Sequence, residues 1–594
     1  MSQFRSKRLN HVLCCHLLVI SFVIAASSQT SSHPATLNAA TEYKRGLMAA
    51  QRGDLKTAQN ALEAAAKLSP RNADYQNALA QVLLQTGDID GAITHFRLLT
   101  RLKPTAALPH AYLAQALVAK GWISEADLEL RKGLKLAPQD PEMHRQLARL
   151  LSQEHKGDDA IREMQSAITL APNRAELHDE LGVLLAQKSQ FDEAQKEFRA
   201  ALTITPDYEP AMFHLGVDLL RAGDNNGARE MLTKATSANR KDGLAHYYLG
   251  MVLEPQDNTG ALHEYQEASE LLPDMVPLQL RLGMLLQKSG HLEQAAAAFR
   301  KASELRPNDP EIHNDLGIAL MQHGQGAAAI KEFQAALQLR PDDIGFRQNL
   351  AVTQLQQADF DAAAEQLREA LKSAPANASL HYDLGLALKL KDDLAGAIQE
   401  FEQATKLDPS LADAYYSLGV TLWQKGDFPF AVEQLKQAVA TKPDYAEAYY
   451  TLGTVQKQMN KLSDAAQSLR EAIRLQPDFM GAHATLAAVL RQTGNTADAE
   501  AETHIAATLS KQKTSLQGAT FATNSGNRLL SAGDLDGAIS QFRSAVELAP
   551  NMALAHYQLG IALWRKGAKD EATEEFERAS ALDPTLKPPT SYQP

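Results

Sequence analysis

The chain is poor in the residue types that carry most protein chemistry. Of its 594 residues only two are cysteine, Cys14 and Cys15, and both sit inside the first apolar stretch. Once that stretch is removed no thiol remains, which excludes a disulfide framework and thiol catalysis. No Gly-x4-Gly-Lys-Ser/Thr, His-Glu-x2-His, Gly-x-Ser-x-Gly or Cys-x2-Cys occurs. Phosphate-loop, zinc-protease, serine-hydrolase and zinc-ribbon chemistry therefore lack their carrying residues. No pair of carboxylates recurs at a spacing beyond what solvated helix faces produce, as a polysaccharide-cleaving site would need. Gly533-Asp-Leu-Asp-Gly537 is acidic but lacks the third ligand and distal Glu of a calcium loop, so Asp534 reads as a helix cap after a turn glycine. No cofactor, metal or catalytic residue is expected.

Long apolar runs are missing after residue 28, so no membrane insertion of a mature chain is expected. Before it, Arg5, Lys7 and Arg8 precede an apolar run from Val12 to Ala26 that closes on Ala25, Ala26, Ser27 and Ser28. This is the three-part pattern of a secretory signal. The expectation is an extracytoplasmic chain, periplasmic or secreted; the alternative is tethering by an uncleaved anchor, which also leaves the remainder outside the cytoplasm. Loss of the three basic residues leaves 56 Lys plus Arg against 71 Asp plus Glu, a net charge of −15 instead of −12. Such a chain has no general attraction for nucleic acid or anionic lipid. Gln29 to Asn38 reads as a short disordered lead.

What is present in abundance is one unit, repeated. In ASLHYDLGLALKLKDDLAGAIQEFEQATKLDPSL, residues 378 to 411, His381, Leu384, Gly385 and Leu388 share one face of a helix, and Ala397, Phe401 and Ala404 share one face of a second. Asp393 stands where it can cap the second helix. Sixteen copies start at 39, 73, 107, 141, 175, 209, 243, 276, 310, 344, 378, 412, 446, 480, 519 and 553, with Ala at the position of Ala397 in every one. The position of Gly385 carries only Gly or Ala, which lets two helices approach closely. A two-helix unit of this size cannot bury its apolar stripe alone, so the units must stack.

This pattern resembles the tetratricopeptide repeat family, whose signature runs Trp-x2-Leu-Gly-x2-Tyr, Ala-x3-Phe, Pro. Residues 175 to 208 match through Leu181, Gly182, Ala194, Phe198 and Pro206, and residues 310 to 343 through Leu316, Gly317, Ala329, Phe333 and Pro341. The departure is at the Trp, replaced by His110, His144, His178, His246, His313, His381, His483 and His556. These imidazoles cannot converge on one metal, since a whole helix separates equivalent positions; they read as polar-tipped rings filling the Trp site. The resemblance implies an all-α, right-handed superhelical solenoid of about sixteen helix-turn-helix repeats. The expected order is a signal peptide 1–28, a lead 29–38, an array of fourteen repeats 39–513, a C-terminal pair 519–586 and a Pro-rich tail 587–594. Two irregularities stand out: a repeat one residue short across Glu254 to Gly260, expected to change the local pitch, and five extra residues at Lys511 to Gly518, expected to leave the last pair semi-independent.

In the family the first helix of each pair forms a concave wall, faced by positions five, six, nine, twelve and thirteen. Position nine is apolar in eight consecutive repeats: Val183, Val217, Met251, Met284, Ile318, Val352, Leu386 and Val420. Either these are core, partly covered by the next helix, or they form a stripe for a partner's segment. Tyr382, Tyr416 and Tyr450 occupy position five in successive repeats, with Trp423 at position twelve. Tyrosine there is either family filler or, with Trp423, the best binding patch. Gln recurs at position thirteen, as an amide row for a peptide backbone or as a cap on the first helix. The asparagine ladder of peptide-glycosylating relatives and the Lys/Asn/Arg carboxylate clamp of chaperone cofactors are both missing. The implied function is an exported scaffold, not an enzyme, that captures protein or peptide segments in its groove. The alternatives are a structural or assembly factor for envelope polysaccharide or protein complexes and, less favoured, an enzyme on envelope polymers. The oligomeric state is left open.

Overall fold

The computed structural model describes residues 34–589, so the signal segment and the end of the tail lie outside the described residues. Thirty-one helices and no strand occur among them. They alternate as the spacing predicts: in repeat 11, Ala378–Leu390 is followed by Leu394–Leu407. Asp393 accepts a hydrogen bond from the Gly396 amide at 2.9 Å and so caps the second helix. Asp534 does the same for Gly537 at 2.9 Å. The turn between the two helices passes through a left-handed residue, Gly in ten places and His155, Ser189, Ala358, Asp392 or Asn460 in others.

Close approach inside each hairpin decides the packing. A Cβ placed on Gly385 would fall 2.6 Å from Cε1 of Phe401, and one on Gly182 would fall 2.5 Å from the same atom of Phe198. Position eight is therefore empty because the bulky residue sixteen places on lies across it. That residue is fully covered in Phe96, Phe198, Phe299, Phe333, Phe401 and Phe542, and the Ala at position twenty is at most 1% exposed in all sixteen repeats.

The chain forms two compact units, residues 1–278 and 279–594, divided within the helix Val276–Lys288. The division follows the shortened repeat, whose first helix, Gly243–Leu253, has 11 residues where others have 13 or 14. Within each unit, first helices of successive repeats touch one another across the stack, for example Ala378–Leu390 with Ala412–Lys425 and Glu209–Ala222 with Gly243–Leu253. Second helices make no contact of that extent among the described residues. The layer of first helices is thus the inner one in each unit.

One expectation is corrected. The first helix begins at Pro34, inside the stretch read as a disordered lead, with proline at its first turn where a missing N–H costs nothing. The five extra residues at Lys511 to Gly518 lie inside a helix: Thr496–Ser531 is one helix of 36 residues that joins repeat 14 to repeat 15. Nothing in LSKQKTSLQ breaks a helix, since no proline and no glycine precedes Gly518. The apolar core is interrupted there. One cluster ends at Ala499 and the next begin at Ala519 and Ala538, leaving the intervening helix mostly exposed.

The side chains around this strut have changed to match. Position twenty-four holds Thr503, exposed, where the other repeats bury Phe, Leu, Met or Tyr. Position seven, Leu in repeats 2 to 14 and in repeat 16, is Arg45 in repeat 1 and Ser525 in repeat 15. Position three is buried in repeats 3 to 14, whereas Phe521 is 71% exposed. Repeat 15 therefore has the polar leading face of a first repeat, as a capping unit requires.

Two outcomes follow for stability. Gly385→Val should cost about 1–3 kcal/mol through overpacking against Phe401, read as a lower urea midpoint. Amides of residues 508–517 should exchange with solvent faster than those of 465–472 or 538–545. Ser515→Pro should speed that exchange further and leave both flanking cores protected, as hydrogen-exchange mass spectrometry would record.

Candidate functional site: the inner face of repeats 11 to 13

In the second unit, the inner layer brings together most of the residues singled out by pattern. Along Ala378–Leu390, Ala412–Lys425 and Ala446–Gln458, positions five, nine and twelve are one helix face. They read Tyr382, Leu386, Lys389; Tyr416, Val420, Trp423; and Tyr450, Thr454, Lys457. All nine are partly exposed. Tyr382, Leu386, Tyr416 and Trp423 pack their inner edges on the core that contains Leu384 and Leu418. The position-nine side chains are thus neither buried core nor a free stripe. Ile318, Val352, Leu386 and Val420 are half-covered, and Met284 is 52% exposed. In the first unit Val183, Val217 and Met251 are half-covered in the same way.

The tyrosines have partners that the position-five reading missed. Tyr416 stacks against Tyr445 with centroids 5.1 Å apart, and Tyr450 against Phe479 at 4.8 Å. Both partners come from the last position of the repeat, immediately after Pro443-Asp444 and Pro477-Asp478. Pro206-Asp207-Tyr208 repeats the spelling, so the signal was in the sequence. The Tyr445 hydroxyl donates to Asp413 at 2.8 Å, and Lys442 Nζ lies 4.6 Å from its ring. Burial first, then the Asp413 bond and charge, push the Tyr445 phenol far above its ordinary value, so it remains a donor. Burial also raises Tyr382, against the opposing bond to Ser417.

Polar residues of the inner layer tie each repeat to the next at a constant offset of thirty-five. Gln348 Nε2 donates to Asp383 at 2.7 Å, Asn349 Nδ2 to Asn314 at 2.8 Å, and Arg145 Nη2 to Glu180 at 2.5 Å. Two turns further on, Gln287 donates to Gln322 at 2.8 Å and the Trp423 indole to Gln458 at 2.6 Å. These two glutamines, and Gln187 with Ser152 at 3.4 Å, therefore neither cap a helix nor wait for a peptide; they bridge repeats. Asp383 and Asp315 are raised by burial, Asp383 against the opposing Gln348 bond. Burial lowers the Lys389 ammonium, so the wall is weakly solvated as well as apolar.

The eight histidines stay apart, each fastened within its own hairpin. Every Nδ1 meets a glutamate of the second helix at 2.5–2.7 Å: Glu129, Glu163, Glu197, Glu264, Glu332, Glu400, Glu502 and Glu575. The glutamate nineteen residues on was the missed signal, at eighteen in the shortened repeat. No cluster of three or more metal-ligating side chains occurs among the described residues. Nor is any described helix long and apolar enough to cross a membrane.

Models described as tetratricopeptide repeat match residues 43–107, 145–209, 280–344 and 523–586, residues 184–251 and 320–388, and residues 446–479. A model described as TPR repeat matches 387–426 and 422–460. The chain belongs to the tetratricopeptide repeat family. No curated protein gives a significant sequence match. Among solved structures it is similar to the Cut9–Hcn1 hetero-tetramer of the APC/C at 15% identity, over 77% of this chain and 99% of that one, with a TM-score of 0.33. It is similar to yeast Tom70 at 18% identity, over 73% and 95%, with a TM-score of 0.31. For Pseudomonas aeruginosa pilF the values are 20%, 35%, 94% and 0.31. Superpositions this loose carry no argument, and membership in the tetratricopeptide repeat family rests on the repeats.

Since Tyr445 and Asp413 share one bond, Tyr445→Phe and Asp413→Asn should each cost about 0.5–1.5 kcal/mol. The double variant should cost less than the sum of the two, as a double-mutant cycle by chemical unfolding would measure.

Proposed function

We propose that the protein is an exported interaction scaffold that holds a protein or peptide segment on the inner face of repeats 11 to 13 and has no chemistry of its own. The observation that carries this reading is the row of half-exposed rings: Tyr382, Tyr416 and Tyr450 one repeat apart, two of them braced by Tyr445 and Phe479. Rings held in one orientation lose little entropy on binding, and tyrosine adds a polar handle to a large apolar area. Leu386, Val420 and Trp423 extend the row along the helices, and Leu390, 54% exposed, continues it. An extended segment crossing the first helices would meet one ring per repeat. The family supports protein binding in general; the segment, the groove position and the export rest on the residues named here and on the sequence of the first 28.

The test has two arms. The full chain is expressed with its own first 28 residues, and cell fractions are probed for it; export predicts a product outside the cytoplasm whose N terminus falls near Ser28. Partners captured by that product from its native compartment are then titrated against the chain carrying alanine at Tyr382, Tyr416, Tyr450 and Trp423. Affinity should fall at least tenfold with helicity retained. Equal affinity would overturn the assigned face, and a wholly cytoplasmic product would overturn the export.

A further inference from the structure

Seven of the histidines make a second contact that fixes their protonation. Nε2 of His144, His178, His246, His313, His381, His483 and His556 lies 2.9–3.2 Å from the carbonyl oxygen six residues back, that of Pro138, Pro172, Arg240, Pro307, Pro375, Pro477 and Pro550. A carbonyl only accepts, so Nε2 must bear hydrogen. Nδ1 faces a glutamate oxygen, which accepts when ionised. Both contacts are satisfied together only if the pair holds one proton beyond that of a neutral imidazole and a free carboxylate. Whether that proton sits on Nδ1 or on the glutamate, the count is the same.

Repeat 10 supplies an independent check. It has Arg347 at the histidine position, and this permanent double donor makes the same two contacts, to Gln366 Oε1 at 3.1 Å and to the Pro341 carbonyl at 2.7 Å. The glutamate has become a neutral acceptor there. Repeat 2 departs from the pattern: Gln76 Nε2 donates to the Pro70 carbonyl at 2.9 Å, while its Oε1 accepts from His95 Nδ1 at 2.6 Å. The arginine of repeat 10 thus meets the same two-donor requirement as the seven histidines.

The charges around the ties favour the ionised glutamate. Lys132 lies 2.7 Å from Glu129 and Arg578 3.2 Å from Glu575. Arg131 feels Glu163, and Asp309 faces His313. In the eighth tie, that of His110, which lacks the carbonyl contact, burial pushes Glu129 up, but the bonds from Lys132 and His110 outweigh it and hold its carboxyl below the ordinary range. Burial likewise pulls His313 down, and the Glu332 bond, the Pro307 carbonyl and the charges of Glu332 and Asp309 more than reverse this, leaving it raised.

We infer that these seven His–Glu ties are proton-holding fasteners, so that the array takes up protons when it folds, is tightest at mildly acidic pH and loosens as pH rises. The sign follows from linkage. A histidine raised in the folded state contributes stability that is complete below its unfolded value, about 6.5, and is lost as pH climbs through the folded value. The device is local to each hairpin and is multiplied along the chain, independent of which segment the groove holds.

The experiment uses the full chain. Nitrogen NMR with selectively labelled histidine should show, at neutral pH, Nε2 bearing hydrogen and Nδ1 sharing a proton with its glutamate in all seven, with the exposed His291, His323 and His504 as internal references. The urea midpoint should fall steadily between about pH 6 and about pH 9. Copying repeat 10 into three ties, as H313R/E332Q, H381R/E400Q and H483R/E502Q, should keep the helicity and remove roughly three sevenths of that pH dependence. Seven rings with a bare Nδ1 at neutral pH, or a midpoint flat across the range, would overturn the inference. Should the triple replacement fail to fold, the titration of the unaltered chain decides alone.

Discussion

Everything in this molecule depends on the closeness of two helices at a residue with almost no side chain, glycine in eleven repeats and alanine in five. Gly385 beneath Phe401, Gly317 beneath Phe333 and Gly560 beneath Phe576 put a bulky group directly on helix backbone. The ring then fills the interior of the hairpin and presents its far side to the next one. Phe198 lies 5.6 Å from His214 in the following repeat, and Phe96 lies 5.8 Å from Tyr112. One contact thus closes the hairpin and begins the stack, and no private globular core is needed.

The repeat frame, the small positions, the Asp393 cap and the all-α character were legible because each depends on residues within one unit of sequence. The His–Glu tie is equally local, but its signal is a glutamate nineteen residues on in the second helix, a pairing across the hairpin that the family signature does not contain. The bridges at an offset of thirty-five were harder. They require knowing that the first helices advance by one position per repeat, which is a property of the stacked structure and not of any single repeat. The aromatic braces Tyr445 and Phe479 fall at the seam between two repeats, where a frame that starts at 412 or 446 assigns them to the turn.

The stretch at Lys511 to Gly518 shows a different limit. Counting residues found the break in period, but an insertion alone does not say whether chain loops out or a helix lengthens. Composition decides this: Leu509 to Gln517 contains only residues that a helix accepts. The polar substitutions Thr503 and Ser525 carried the rest of the message. An interface that is not made loses its apolar anchors, and Phe521 is left standing at 71% exposure.

A helix of 36 residues is about 54 Å long at 1.5 Å per residue. Across its bare middle no neighbouring hairpin shares the load, so the only resistance to bending or pulling is its own ladder of backbone hydrogen bonds. Force applied to the last two repeats would therefore be felt first there. The strut would yield turn by turn while the packed hairpins on either side kept their shape, which makes it the mechanical fuse of the second unit.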